Sequence, residues 1–195
     1  MSTAALVSSV PILASVATAR DYQIHRIPLR FENLPPGLEG LKIAQVSDIH
    51  SGLYMTEHDM REIFELTNSL DADIIMVTGD FVDSADSQIE PLFRALETLK
   101  ENSGIFGCLG NHDHFATAEK VSAAAQQRQI VMLNNSHQTL NLNGEKLSII
   151  GIDDAGRGSM NFARFDQALH GLTPESFKIM LTHRHDVWDE CRERG

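Results

Sequence analysis

Four short apolar runs in this chain each stop abruptly at a loop rich in Asp, His and Asn. Leu41 to Val46 ends in Ser47-Asp48-Ile49-His50-Ser51-Gly52, and Asp73 to Thr78 ends in Gly79-Asp80-Phe81-Val82-Asp83. Ile105 to Leu109 ends in Gly110-Asn111-His112-Asp113, and Phe177 to Leu181 ends in Thr182-His183. Runs this short and this apolar read as buried strands rather than helices. If the strands lie parallel, their carboxyl ends stand side by side, and the polar loops converge on one crevice. Taken alone, Gly110-Asn111-His112-Asp113 reads equally well as a turn, because Gly, Asn and Asp are the usual turn formers. Its recurrence in kind at the other strand ends makes it part of a series.

Helical patterns separate the runs. Thr56 reads as an N-cap with Asp59 three residues on, followed by an apolar face at Met60, Ile63, Phe64 and Leu70. A second helix begins near Ile89, with Pro91 tolerated in its first turn, and a third spans about Ala116 to Gln127 before the short strand Ile130 to Leu133. Strand alternating with helix predicts an α/β fold. Beyond Asn134 the pattern changes: His137 to Leu142 and Lys146 to Gly151 flank Asn143-Gly144, a hairpin signal that predicts a second or mixed sheet. Phe162 to Leu169 is weakly helical, Tyr22 to Phe31 reads as an edge strand, and only a few polar residues follow Asp186.

Composition narrows the function classes. Sixteen basic against 27 acidic residues give a net charge of -11 with no Lys/Arg stripe, so nucleic acid is not an expected partner. Cys108 and Cys191 are too few for a disulfide framework and form no Cys-x-x-Cys pair; Cys108 reads as a core residue. Ser2 to Ala19 carries no charge and closes on Ala17-Thr18-Ala19, the small-x-small form of a signal-peptidase site. Residues 1–21 are thus expected to be the remnant of an export signal or membrane anchor, or otherwise a mobile arm, ahead of one domain over residues 22–195. That would place the protein in or on a cell envelope, with the cytoplasm as the alternative.

Carboxylate, imidazole and amide oxygen without thiolate form a ligand set for Mn, Fe(II) or Zn. The Asp48-x-His50 spacing lets both side chains face one ion, and Asp80, from a separate strand, can bridge two. His25, His58, His137 and His170 stand in strand or helix contexts without such partners and read as structural.

Asp48-x-His50, Gly79-Asp80, Gly110-Asn111-His112-Asp113 and His183 together resemble, in order and spacing, the motifs of the calcineurin-like metallophosphoesterases. The wording Lys42 to Gly52 is similar to the bacterial branch with an N-terminal export signal or membrane segment. The resemblance covers roughly Tyr22 to the end. It implies a four-layer α-β-β-α sandwich with mixed sheets and a dinuclear, metal-dependent phosphohydrolase, a phosphodiesterase using a metal-activated water. It further implies that Asp48 and His50 hold one metal, Asn111 and His183 the other, and that Asp80 bridges them across roughly 3.5–4 Å. His112 would serve the leaving group, oriented by Asp113. The substrate implied is a phosphate ester, lipid-linked in some relatives, with membrane association through the N-terminus; oligomeric state is left open. Two departures stand out. The family closes its site with Gly-His-x-His on a further strand, and no such motif occurs up to Gly195. These 195 residues are therefore expected to be incomplete at the C-terminus and to bind metal weakly, with a non-catalytic or scaffold domain as the alternative. His185 stands where related sequences often have proline and is expected at the surface.

Overall fold

The computed structural model describes residues 21–100, 104–156 and 161–194. They separate into two units, with the boundary between Phe31 and Glu32. The expected signal or anchor lies, but for Asp21, outside the described residues. Residues 21–31 correct one expectation, since they form no strand. Alternating apolar residues choose a face only where a neighbouring strand supplies a ladder. Here no ladder includes them, and Ile27 and Leu29 stay exposed.

In the second unit, β1 (Ile43–Val46), β2 (Ile74–Thr78), β3 (Ile105–Cys108) and β4 (Ile130–Met132) form a fully parallel sheet in the order β1-β2-β3-β4. Val46 pairs with Val77 and Thr78 with Cys108, so the first three strands finish almost level. The crossovers contain α1 (Glu57–Asn68), α2 (Ile89–Leu96) and α3 (Ala118–Gln127). Thr56 caps α1 as its sequence predicts: its hydroxyl accepts from the Asp59 amide at 3.4 Å, and the Asp59 carboxylate accepts from the Thr56 amide at 3.1 Å.

Side chains of β2 alternate between two cores. Ile75 and Val77 meet Met60, Phe64, Leu92, Phe93 and Val121 on the helical side. Ile74 and Met76 join Phe106, Cys108, Leu147, Ile149 and Leu181 between the two sheets. Burial on both faces is why β2 and β3 read as unbroken apolar runs. Cys108 is a core residue, its thiol pKa pushed far up by burial.

The second sheet has the order β5-β6-β7, from β5 (Ser136–Leu142), β6 (Glu145–Gly151) and β7 (Phe177–Leu181). β5 and β6 pair antiparallel across Asn143 (φ 51°) and Gly144 (φ 85°), the two left-handed residues that a tight hairpin turn requires. β6 and β7 run parallel, joined through α4 (Phe165–Leu169). On the outer face Ile150 and Ile152 pack against Phe165, Ala168 and Val187. The layers are therefore helix, parallel sheet, mixed sheet, helix, the expected four-layer arrangement. The few residues that follow Asp186 include α5 (Trp188–Arg194), with Glu190 and Arg194 paired one turn apart at 2.7 Å.

Candidate metal centre

The loops after β1 and β2 keep pairing after the strands end. The Asp48 amide donates to the Gly79 carbonyl at 3.2 Å, the His50 amide to Asp80 at 2.9 Å and the Ser51 amide to Phe81 at 3.0 Å. The Asp83 amide returns a bond to Ser51 at 3.2 Å. Within this extension Asp48 (φ 55°), His50 (φ 47°) and Asp80 (φ 51°) all adopt left-handed backbone. Such a conformation costs a non-glycine residue about 1 kcal/mol, and three together in one loop pair mark a site where position outweighs local comfort.

Two glycines let the loops approach. A Cβ on Gly79 would stand 2.7 Å from His183 Nδ1 and 2.8 Å from the Gly110 backbone. On Gly110 it would collide with the Asp80 carboxylate. The chain therefore brings β2, β3 and β7 into one place only because no side chain intervenes.

Asp80 is the centre of what they enclose. Its Oδ2 lies 3.4 Å from His50 Nε2 and 3.3 Å from His183 Nε2, while its Oδ1 accepts the His112 amide at 2.9 Å. Ligand atoms of His50, Asp80 and His112 lie within 4.8 Å of one another, as do those of Asp48, Asp80 and His183. Asp80 belongs to both groups. Asp48 Oδ1 is also 3.9 Å from His50 Nε2, so Asp48 borders both sides. Asn111 occupies the same turn, half-buried between Gly110 and His112. His183 reaches the cluster from the second sheet and fixes its ring through Nδ1, 3.0 Å from the Thr78 carbonyl.

The electrostatics follow from this packing. Burial alone would raise the Asp80 carboxyl, but the His183 hydrogen bond and the His112 amide outweigh it and hold it below the usual range. Asp80 in turn raises His183 to about 9, against the burial that opposes its charge.

One expectation needs correction: Asp113 does not hold the His112 ring. Its buried carboxylate accepts from the amides of Phe81 (2.9 Å), Val82 (3.2 Å) and Gly110 (2.9 Å), clasping the β2 loop to the β3 loop. Burial pushes Asp113 up to about 6 while those donors pull it down. The His112 ring is held by Asp83 instead, with Nδ1 donating to the Asp83 carbonyl and 3.8 Å from its carboxylate. Motif spacing could not separate the two acids, since adjacency in sequence says nothing about side-chain direction. Behind the cluster His114 pairs with Asp153 at 2.8 Å and stacks on Phe162, and Arg184 pairs with Asp154 at 2.8 Å.

His185, His58 and His137 are engaged elsewhere. His185 is fully exposed and 3.7 Å from Asp186; His58 pairs with Glu62 on α1, and His137 bonds the Ala168 carbonyl.

The donor set fits divalent cations. A low-pKa carboxylate shared between two groups, with imidazole Nε2 atoms turned inward and Nδ1 of His183 held by a carbonyl, is the chemistry of an imidazole-carboxylate metal site. Among the described residues no helix is long and apolar enough to cross a membrane.

Comparison with known proteins agrees with this chemistry. A calcineurin-like phosphoesterase family model matches residues 41–191. The chain is 31% identical over 159 residues to the uncharacterized metallophosphoesterase YkuE of Bacillus subtilis, a match covering 79% of this chain and 54% of that protein. It is 27% identical over 177 residues to a Danio rerio transmembrane protein with metallophosphoesterase domain, covering 87% of this chain and 40% of that one. The chain thus spans about half the length of such relatives. Among solved structures, phosphopantetheinyl hydrolase from Mycobacterium tuberculosis shares the fold with a TM-score of 0.51 at 12% identity, over 77% of this chain and 71% of that one. From the motif order, the four layers and the family match, the chain belongs to the calcineurin-like phosphoesterase family.

Proposed function

We propose that this chain carries the metal centre of a dinuclear phosphohydrolase of the phosphodiesterase type. The observation that carries the reading is Asp80, one carboxylate common to two ligand groups. Two divalent cations held there supply charge neutralisation for a phosphate ester and an acidified water. Asp48 and His50 are assigned to one cation, Asn111 and His183 to the other. Asp113 keeps the β2 and β3 loops in register, so that the carboxylate and imidazoles meet the ester already positioned. His112, its Nδ1 proton committed to Asp83, presents Nε2 to the departing oxygen and in protonated form hands it a proton. The metals best suited to the donors are Mn, Fe(II) and Zn.

The charge-free stretch Ser2–Ala19, with relatives named as transmembrane proteins, supports membrane association in the cell envelope and a lipid-linked ester as substrate. Hydrolysis of bis(p-nitrophenyl) phosphate with added Mn(II), alongside metal uptake, tests the reading. Saturable uptake should weaken and metal-dependent turnover should disappear in Asp80→Ala. Turnover that survives in that variant contradicts the assignment, and uptake without turnover of any ester reduces the domain to a non-catalytic metal-binding module.

A further inference from the structure

The wall beside His112 is apolar and open. Phe115 packs its ring against the His112 imidazole, with centroids 5.2 Å apart and planes at 64°, yet remains 55% exposed. A second apolar projection is the turn Gly52 to Met55, closed by the Gly52 amide on the Met55 carbonyl at 3.2 Å. Its tip displays Leu53 and Tyr54 at 84% and 94% exposure. This turn is rooted beside the same imidazole: Ser51 bridges to Val82, the Asp83 amide bonds Ser51, and the Asp83 carbonyl holds His112 Nδ1. Three large apolar side chains left in water next to polar chemistry are a recognition feature rather than packing.

The charge beside His112 disfavours a polyanionic occupant. Asp83, its carboxylate 3.8 Å from His112 Nδ1, is more than half exposed and is not among the assigned ligands. Among the described residues Lys120 is committed to Asp86 and Arg184 to Asp154. A second phosphate or carboxylate on that side of the ester would meet the Asp83 carboxylate.

We propose that the site selects phosphate esters whose substituent on the His112 side is uncharged and apolar, seated between Phe115 and the Leu53–Tyr54 turn. The proposal rests on the phosphohydrolase reading above, and it adds the chemical class of the departing group.

Non-hydrolysable probes separate the two. Methylphosphonate, phenylphosphonate and hexylphosphonate are titrated by calorimetry into the Mn-loaded full chain and into Phe115→Ala and Tyr54→Ala, both surface truncations. Phenyl- or hexylphosphonate should bind about tenfold tighter than methylphosphonate, as expected for one added apolar or aromatic contact. That preference should shrink in both variants, and the better probe of the two shows whether the wall is tuned to a ring or to an alkyl chain. Equal affinity for all three, or a preference unchanged in both variants, overturns the apolar selection while leaving the phosphate site standing. No binding of any phosphonate overturns the phosphohydrolase reading and this proposal with it.

Discussion

The two halves of the candidate centre are assembled by different means. Asp48, His50, Asp80 and His112 come from neighbouring parallel strands whose loops continue each other's hydrogen bonding and are clasped by Asp113. His183 comes from the other sheet and is positioned by the packing of Leu181 against Met76 and Cys108, with one bond to the Thr78 carbonyl. The first half is fixed by the backbone, and the second depends on how two sheets seat against each other. A site built this way gains one rigid wall and one wall whose contribution scales with sheet packing.

Removing the clasp should have the largest effect. Asp113→Ala strands three amides, two of them bonded to one carboxylate oxygen, and each buried donor left unpaired costs about 1–3 kcal/mol. A loss of roughly 3–5 kcal/mol in urea unfolding is the expected outcome. Asp113→Asn, which retains an acceptor, should lose less. Equal stability of all three proteins would show that the rigid half is held by something else.

The cross-sheet contact makes a smaller, pH-dependent contribution. His183 has its pKa raised to about 9, so in metal-free protein its contribution is full below the ordinary value of 6.5 and is lost as pH rises through about 9. Asp80 has its pKa lowered, so its contribution is present above the ordinary 3.8 and is lost as pH falls. The pair should therefore stabilise most between pH 4 and 6.5. With chelator present, melting temperature should drop by about 2–4 °C more between pH 6 and 9 in wild type than in His183→Gln. Parallel curves would contradict the pairing.

His185→Ala, two residues along, should change neither melting nor metal uptake beyond about 0.5 kcal/mol, because its side chain is fully exposed. A measurable loss of metal would move His185 into the site.

Much of this was legible in the residues. β1, β2, β3 and β7 appear as apolar runs because both of their faces or their inner face are buried, and their polar ends do converge. The Thr56 cap and the Asn143-Gly144 hairpin were equally plain, since each depends on local chemistry alone. What depended on partners was not. Tyr22 to Phe31 has a strand pattern but no ladder, and α5 is held by ion pairs that an apolar period does not register. Asp83 holds the His112 ring in the place expected of Asp113, because side-chain direction, unlike spacing, is not carried by adjacency in sequence.

Counting metal equivalents tests the central claim most directly. Equilibrium dialysis against Mn(II) or Zn(II), followed by elemental analysis, would compare wild type with Asp80→Ala and His183→Gln. If Asp80 joins two ligand groups, its removal should weaken both equivalents, whereas His183→Gln should weaken one. Two equivalents retained at wild-type affinity in Asp80→Ala would contradict the account.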